Sequence, residues 1–366
     1  MRSLKPNSMG AFVPTKVQPT FDGHATSYTK PSRALLEIDR LRGGGPPKVL
    51  VIRSRGGIGD VIMTTPTVRS IAKKYGCQVD YATDFDYLDG ALVKCVQHLP
   101  YIGNVFSWTE VEQRREGYNA VVNLTCPCVA HEKPLAPPIN RIDLFARHAG
   151  VALDSPALDL IVTPEELRWA QSYLQQHCLD RAKLMMVQPS SSNTRRDMPR
   201  DKLKFAVQRV LTSDRDTKAL IITNHSDSVK MDWNYGDTHV LNNFDCRQLA
   251  ALMHYCDLVL CPDSAILHIA SALHKKCLTI FGPTDPRARV NYHPEAVAIW
   301  PGKELKNYPV WYEDPKDGYL CWKRLDAALI GDAALAMLNG KALPQSRDYV
   351  AFGNLSVQQD ANYELL

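Results

Sequence analysis

Residues 48–76 read KVLVIRSRGGIGDVIMTTPTVRSIAKKYG, and the order of residue types in this stretch decides the fold. Val49, Leu50, Val51 and Ile52 form a short continuous apolar run, the pattern of a strand buried in a parallel sheet. A glycine-rich turn follows at Gly56, Gly57 and Gly59, and Ile58, Val61, Ile62, Thr65, Val68 and Ala72 then recur at helical spacing. The glycines let the chain turn sharply and let a ligand approach without a Cβ in the way. Asp60 stands where the helix is expected to begin, so its carboxylate is placed to cap the first free N–H groups. Strand, turn and helix N-terminus together make a sheet edge at which anions or sugar hydroxyls bind.

The spacing excludes the common nucleotide fingerprints. With Gly57 and Gly59 as the first two glycines of a dinucleotide motif, Ile62 fills the third position; starting from Gly56, Ile58 fills the second. No Lys-Ser or Lys-Thr pair follows to complete a P-loop. An acidic residue at the mouth of the turn repels a phosphate at that spot, which suits Asp60 to handling a proton. A plain helix cap accounts for it equally well from this stretch alone.

The chain has 366 residues, room for two domains, and its 45% apolar content is ordinary for a globular protein. No apolar run approaches the roughly 18 residues of a membrane helix, so no integral membrane segment is expected. Residues 1–20 carry basic groups without an apolar core region, which argues against a signal peptide. Ten cysteines, scattered singly apart from Cys126 and Cys128, fit reduced thiols and a cytoplasmic setting. Residues 1–48 hold eight basic and three acidic groups, a balance of +5 against +4 for the whole chain. The body is therefore nearly neutral. The basic leader reads as a solvated extension, with a phosphate-rich partner (nucleic acid or a membrane surface) as the alternative.

Residues 1–30 show no sustained periodicity, and 31–41 fit a short helix. Strands are expected at 78–82, 105–108 and 118–124, and helices at 88–96 and 140–150. A second cycle opens at Thr163-Pro164-Glu165-Glu166, a good helix start. Strands follow at 184–188, 219–223, 258–261 and 277–281, with helices at 202–211, 246–255 and 265–273. This alternation predicts an α/β protein of two doubly wound parallel-sheet (Rossmann-like) domains facing across a cleft. The expected divisions are a flexible basic leader (1–46), an N-terminal domain (47–163), a C-terminal domain (164–345) and a tail (346–366).

Residues 257–286, DLVLCPDSAILHIASALHKKCLTIFGPTDP, carry the second chemical signal. One buried strand ends before Asp263-Ser264 and a helix bearing His268; the next ends before Gly282-Pro283-Thr284. Free N–H groups after Asp263 and Gly282, with the Ser264 and Thr284 hydroxyls, suit a diphosphate. The order Asp263-Ser264, His268 and Phe281-Gly282-Pro283-Thr284-Asp285-Pro286 resembles the bacterial heptosyltransferases of lipopolysaccharide core synthesis, members of glycosyltransferase family 9. Gly59-Asp60-Val61 with Thr65-Pro66 matches that family's opening. Gln188-Pro189-Ser190-Ser191-Ser192 with Arg195, Arg196 and Pro199 matches a turn that carries a basic phosphate contact there. The likeness spans roughly 48–300, and three motifs in order are far more specific than one.

The resemblance implies a GT-B fold, with acceptor bound by the first half and a nucleoside-diphosphate sugar donor, ADP-heptose by default, bound by the second. It implies inversion at the anomeric carbon with no metal or other cofactor, and lipopolysaccharide core as the default acceptor glycan. Asp60 resembles the general base, with Gly57 and Gly59 in the acceptor-side turn. Arg195 or Arg196 resembles the phosphate contact, and Ser190, Asp263, Ser264, His268, Gly282 and Thr284 fall at the donor site. Ala265 stands where a glycine is usual, and Met198 where Trp is frequent. Two competing readings are sugar transfer to a modified base in DNA, prompted by the basic leader, and a non-catalytic nucleotide-sugar binding protein.

Other signals are weaker. Asp84-Phe85-Asp86 matches the loose DxD of metal-dependent glycosyltransferases but reads as a loop. Cys126, Cys128 and His131 lack the fourth ligand that structural zinc wants. Tyr308, Trp311, Tyr312, Tyr319 and Trp322 read as a packed surface under a long loop.

Overall fold

The computed structural model describes residues 34–40, 45–125, 127–136, 138–223, 233 and 236–351. In the first half β1 (Val49–Arg53), β2 (Val79–Thr83), β3 (Ile102–Ser107) and β4 (Ala120–Asn123) form a parallel sheet in the order β3-β2-β1-β4. In the second half lie β5 (Lys183–Val187), β6 (Thr217–Thr223), β7 (Thr238–Asn242), β8 (Leu258–Pro262), β9 (Cys277–Ile280), β10 (Ala296–Ile299) and β11 (Tyr349–Ala351). Their order is β11-β10-β9-β8-β5-β6-β7, and only the edge strand β11 runs antiparallel. Every residue of β1 and β8 is buried, as strands covered by helices on both faces require. The chain is a GT-B-type pair of Rossmann-like sheets.

The order of winding positions the site. From β1 the chain goes outward through β2 and β3, then returns to the opposite flank of β1 as β4. It does the same from β5, through β6 and β7 and back to β8. Each reversal leaves a crevice beyond the carboxyl ends of two neighbouring strands, where doubly wound sheets hold ligands.

Local chemistry explains the turn after β1. The helix starts at Ile58 rather than Asp60; Gly57 is the N-cap and Asp60 is the third helical residue. Its Oδ2 accepts from the Gly57 N–H at 3.2 Å, so the carboxylate reaches back over the turn. The expected single helix is two, Ile58–Ile62 and Thr65–Tyr75. Pro66 has no N–H to offer the Ile62 carbonyl, and the Thr65 hydroxyl donates to it instead at 2.8 Å. Further along, Asn140 caps Arg141–Ala149 and Gly150 closes it at φ 74°, while Thr163 and Glu166 form a capping box for Pro164–Gln176.

Among the described residues, three strands and the long helix Ala327–Leu338 go beyond the sequence expectation, besides short helices such as Val111–Arg114, Arg287–Val290 and Leu320–Arg324. β7 is an edge strand in which only Leu241 is buried, so it carries no apolar run to read. β10 and β11 pair at the opposite edge, and the alanine-rich helix Ala327–Leu338 covers a sheet face beside Arg200–Ser213. The leader is not uniformly a solvated extension. Ala34–Arg40 is a helix whose Leu35 and Ile38 join the core, and Asp39 pairs with Lys74 at 3.0 Å. No helix among the described residues is long and apolar enough to cross a membrane.

Candidate active site

The two crevices open into one cleft of about 550 Å³. Gly57, Gly59, Asp60 and Arg141 line it from the first half; Ser190, Arg196, Asp263, Ser264 and His268 line it from the second. On the first side, Asp60 is held by two guanidinium groups. Arg53 Nη2, at the end of β1, lies 3.3 Å from Asp60 Oδ2, and Arg141 Nη1 donates to Asp60 Oδ1. Burial alone would raise the Asp60 carboxyl, but Arg141, Arg53 and Arg289 outweigh it and hold it far below the usual carboxylate range. Asp60 is therefore a fixed anion facing the cleft.

Glycine is required here for specific reasons. At Gly56, with φ 118°, a Cβ would lie 2.6 Å from Arg53 Nη2 and 2.8 Å from Asp60 Oδ2, inside the ion pair itself. At Gly59 a Cβ would lie 2.4 Å from Cδ2 of His268. What needs the space above Gly59 is a histidine from the second half, not the ligand the sequence suggested.

On the second side, Asp263 is buried at the end of β8 and accepts from the Thr284 hydroxyl at 3.0 Å. Arg196 Nη1 lies 3.2 Å from its Oδ2. Burial opposes ionisation of Asp263, but Arg196 and Arg289 prevail and bring its carboxyl down to about 2. Arg196 Nη2 donates to Ser192 Oγ at 3.1 Å, while its buried Nε has no partner among the described residues. Nor does the buried Ser264 hydroxyl, at the start of Ala265–Ala272. Unsatisfied buried donors in a cleft are groups waiting for an acceptor. His268 is buried; desolvation lowers its pKa to about 4 against the pull of Asp263, so the ring is neutral near pH 7.

The structure separates the two candidate arginines. Arg196 lines the cleft. Arg195 turns away, with Nε donating to Asn193 Oδ1 at 3.2 Å and Nη1 to the Tyr312 carbonyl. Gly282 and Thr284 also lie behind the lining. A Cβ on Gly282 would meet Trp322 Cζ2 at 2.1 Å, its carbonyl accepts from Trp300 Nε1 at 3.0 Å, and the Thr284 hydroxyl is committed to Asp263.

Sequence reasoning missed Arg53, Glu132, Arg141, Arg289 and the role of Tyr312. Glu132 is buried and accepts from Arg141 Nε and Nη2, each at 2.6 Å, from Arg289 Nη1 at 2.9 Å, and from the Tyr312 hydroxyl. Two signals were available. Arg53 is a charge at the end of an otherwise apolar strand, and Arg141 is a cation on the first turn of a helix, where the dipole disfavours it. Glu132 sits in a loop with no pattern around it.

Of the weaker motifs, Asp84-Phe85-Asp86 does not line this cleft. Asp84 and Asp86 form a local turn, with the Asp86 N–H donating to Asp84 Oδ1 at 2.9 Å. Cys126 lies outside the described residues, Cys128 is buried, and the described residues hold no His/Cys/Asp/Glu group suited to a metal.

Residues 129–311, half of the chain, match the family described as glycosyltransferase family 9 (heptosyltransferase). Among solved structures, the glycosyl transferase family 9 protein of Veillonella parvula aligns with a TM-score of 0.60 and 17% identity, over 81% of this chain and 98% of that one. The ADP-heptose LPS heptosyltransferase II of E. coli aligns with a TM-score of 0.58 and 14% identity, over 80% and 99%. The iron-containing dodecameric glycosyltransferase TibC of enterotoxigenic E. coli aligns with a TM-score of 0.56 and 11% identity, over 82% and 78%. No curated protein matches the sequence. With a family match across half its length and a shared fold over about 80% of the chain, this chain belongs to glycosyltransferase family 9 and is a sugar-transferring enzyme.

Proposed function

We propose that the protein is an inverting glycosyltransferase whose chemistry needs no metal ion. It transfers heptose from ADP-heptose to a hydroxyl of a lipopolysaccharide-core acceptor, in the cytoplasm. One observation carries the reading: a half-buried, ionised carboxylate from the first half, Asp60, faces Arg196 and Ser264 of the second across one cleft.

The donor's diphosphate is bound from the second half. Arg196 Nε and the Ser264 hydroxyl supply donors with no competing partner among the described residues, and the N-terminus of Ala265–Ala272 adds free N–H groups. Arg53, Arg141, Arg196 and Arg289 face Asp60, Glu132 and Asp263, leaving one positive charge over for the departing nucleoside diphosphate. The acceptor oxygen attacks the anomeric carbon from the face opposite the diphosphate. As the new C–O bond forms, the old one breaks, its electron pair leaves with the phosphate, and Asp60 takes the acceptor proton. A weakly basic carboxylate suffices, because the proton sits on an oxonium oxygen far more acidic than a carboxylic acid once that bond forms. Neutral His268, packed on Gly59, closes the floor of the cleft between the halves.

The test is transfer from ADP-heptose to heptose-deficient lipopolysaccharide, with and without EDTA, and product configuration read by NMR. Asp60→Ala should lower turnover by about 10²–10⁴-fold while ADP affinity is kept. A fully active Asp60→Ala enzyme, or retained anomeric configuration, would overturn the mechanism.

A further inference from the structure

We propose that Glu132 and Arg141 are positioning residues that make Asp60 competent only when the two halves are together. The inference rests on the reading of Asp60 as the base. Arg141 uses its whole guanidinium as a connector: Nε and Nη2 form a fork onto Glu132, and Nη1 alone goes to Asp60. That fork fixes the plane of the guanidinium and so the direction from which it meets the base. Arg141 cannot be held there by its own helix, since it occupies the first turn of Arg141–Ala149, where the dipole repels a cation. Its placement depends on the two carboxylates.

Glu132 does not belong to the first half alone. The oxygen that accepts from Arg141 Nε also accepts from Arg289, and the other accepts from Tyr312, both residues of the second half. Arg289 is itself buried, 3.9 Å from Asp263, the residue that orients Arg196. An unbroken chain of ion pairs therefore runs from Asp60 through Arg141, Glu132, Arg289 and Asp263 to Arg196. Parting the halves strips Glu132 of two of its three partners, and the charge it then carries pulls on Arg141 without a fixed geometry. Glu132 thus reports to the base whether the donor-binding half is in place, which couples assembly of the base to closure and guards the donor against water.

Glu132→Gln keeps the shape and removes the charge. It should lower kcat roughly tenfold to a hundredfold, as displacement of a reacting group does, with KM for ADP-heptose and Kd for ADP changed less than about threefold. If Glu132 acts through Asp60, the same change on an Asp60→Asn background should cost less than about twofold, whereas a purely structural role would multiply the two losses. A crystal structure of Glu132→Gln should show Arg141 off Asp60. An unmoved Arg141–Asp60 contact, or full multiplicative loss in the double variant, overturns the inference even if Asp60 is the base. An active Asp60→Asn enzyme sinks the base itself, a result the single variants distinguish.

Discussion

Gly59 and His268 meet across the cleft with no room between them, a Cβ on the glycine falling 2.4 Å from the histidine ring. The contact joins Ile58–Ile62, directly after β1, to Ala265–Ala272, directly after β8. It sets how closely the helix of Asp60 can approach the helix that begins after Ser264.

Gly59→Ala should therefore push the halves apart. The expected loss of stability is about 1–3 kcal/mol, the usual cost of overpacking, with turnover falling more than ADP affinity. Adding His268→Ala should restore most of the melting temperature but not the activity. Differential scanning calorimetry of the three variants tests this, and no recovery in the double variant would place the strain elsewhere.

Ser264 offers an opposite balance of stability and binding. Its hydroxyl is buried and has no partner among the described residues, so Ser264→Ala removes a desolvated group that the free enzyme does not use. The melting temperature should stay level or rise. ADP affinity should fall by roughly tenfold to a hundredfold, the worth of one hydrogen bond to a charged phosphate, as titration calorimetry would register.

Arg196 and Arg195 should differ although they are neighbours. Arg196→Met removes a cation from the cleft wall and should weaken ADP binding by roughly tenfold to a hundredfold. Arg195→Met loses contacts to Asn193 and the Tyr312 carbonyl and should change ADP affinity by less than about threefold. Equal effects would remove the distinction.

Acid should loosen the cleft in two stages. Burial keeps His268 neutral with a pKa of about 4, so the unfolded chain takes up its proton first and stability falls as pH drops from the ordinary histidine range toward 4. Glu132 and Asp263 bind protons more weakly folded than unfolded, each at about 2, because arginines outweigh their burial. Their contribution is complete above the ordinary carboxylate range and is lost as pH falls from there toward 2. Melting curves from about pH 7 down to about pH 2.5 should show both declines, with the lower one shallower in Glu132→Gln.

Much of this was legible in the chain. The apolar runs of β1, β5, β8 and β9 announce buried parallel strands because a strand covered on both faces is almost continuously apolar. Asp60, Asp263, Ser264 and His268 were legible because they follow those strands directly, at the edge where doubly wound sheets bind. β7 escaped notice because an edge strand has one solvated face, and the break at Thr65–Pro66 because a helical stripe continues through it.

Local sequence signals specify two parallel sheets, the turns at their carboxyl edges, and an acid in the first with a hydroxyl and a histidine in the second. Those features are written in residues within a few positions of one another, where periodicity and capping act. Tertiary structure decided which of two adjacent arginines faces the cleft, that Gly59 makes room for His268, and that Glu132 ties Arg141 to Arg289. Ion pairs between residues 132 and 289 leave no local trace, since neither partner needs the other until the two halves have folded and come together.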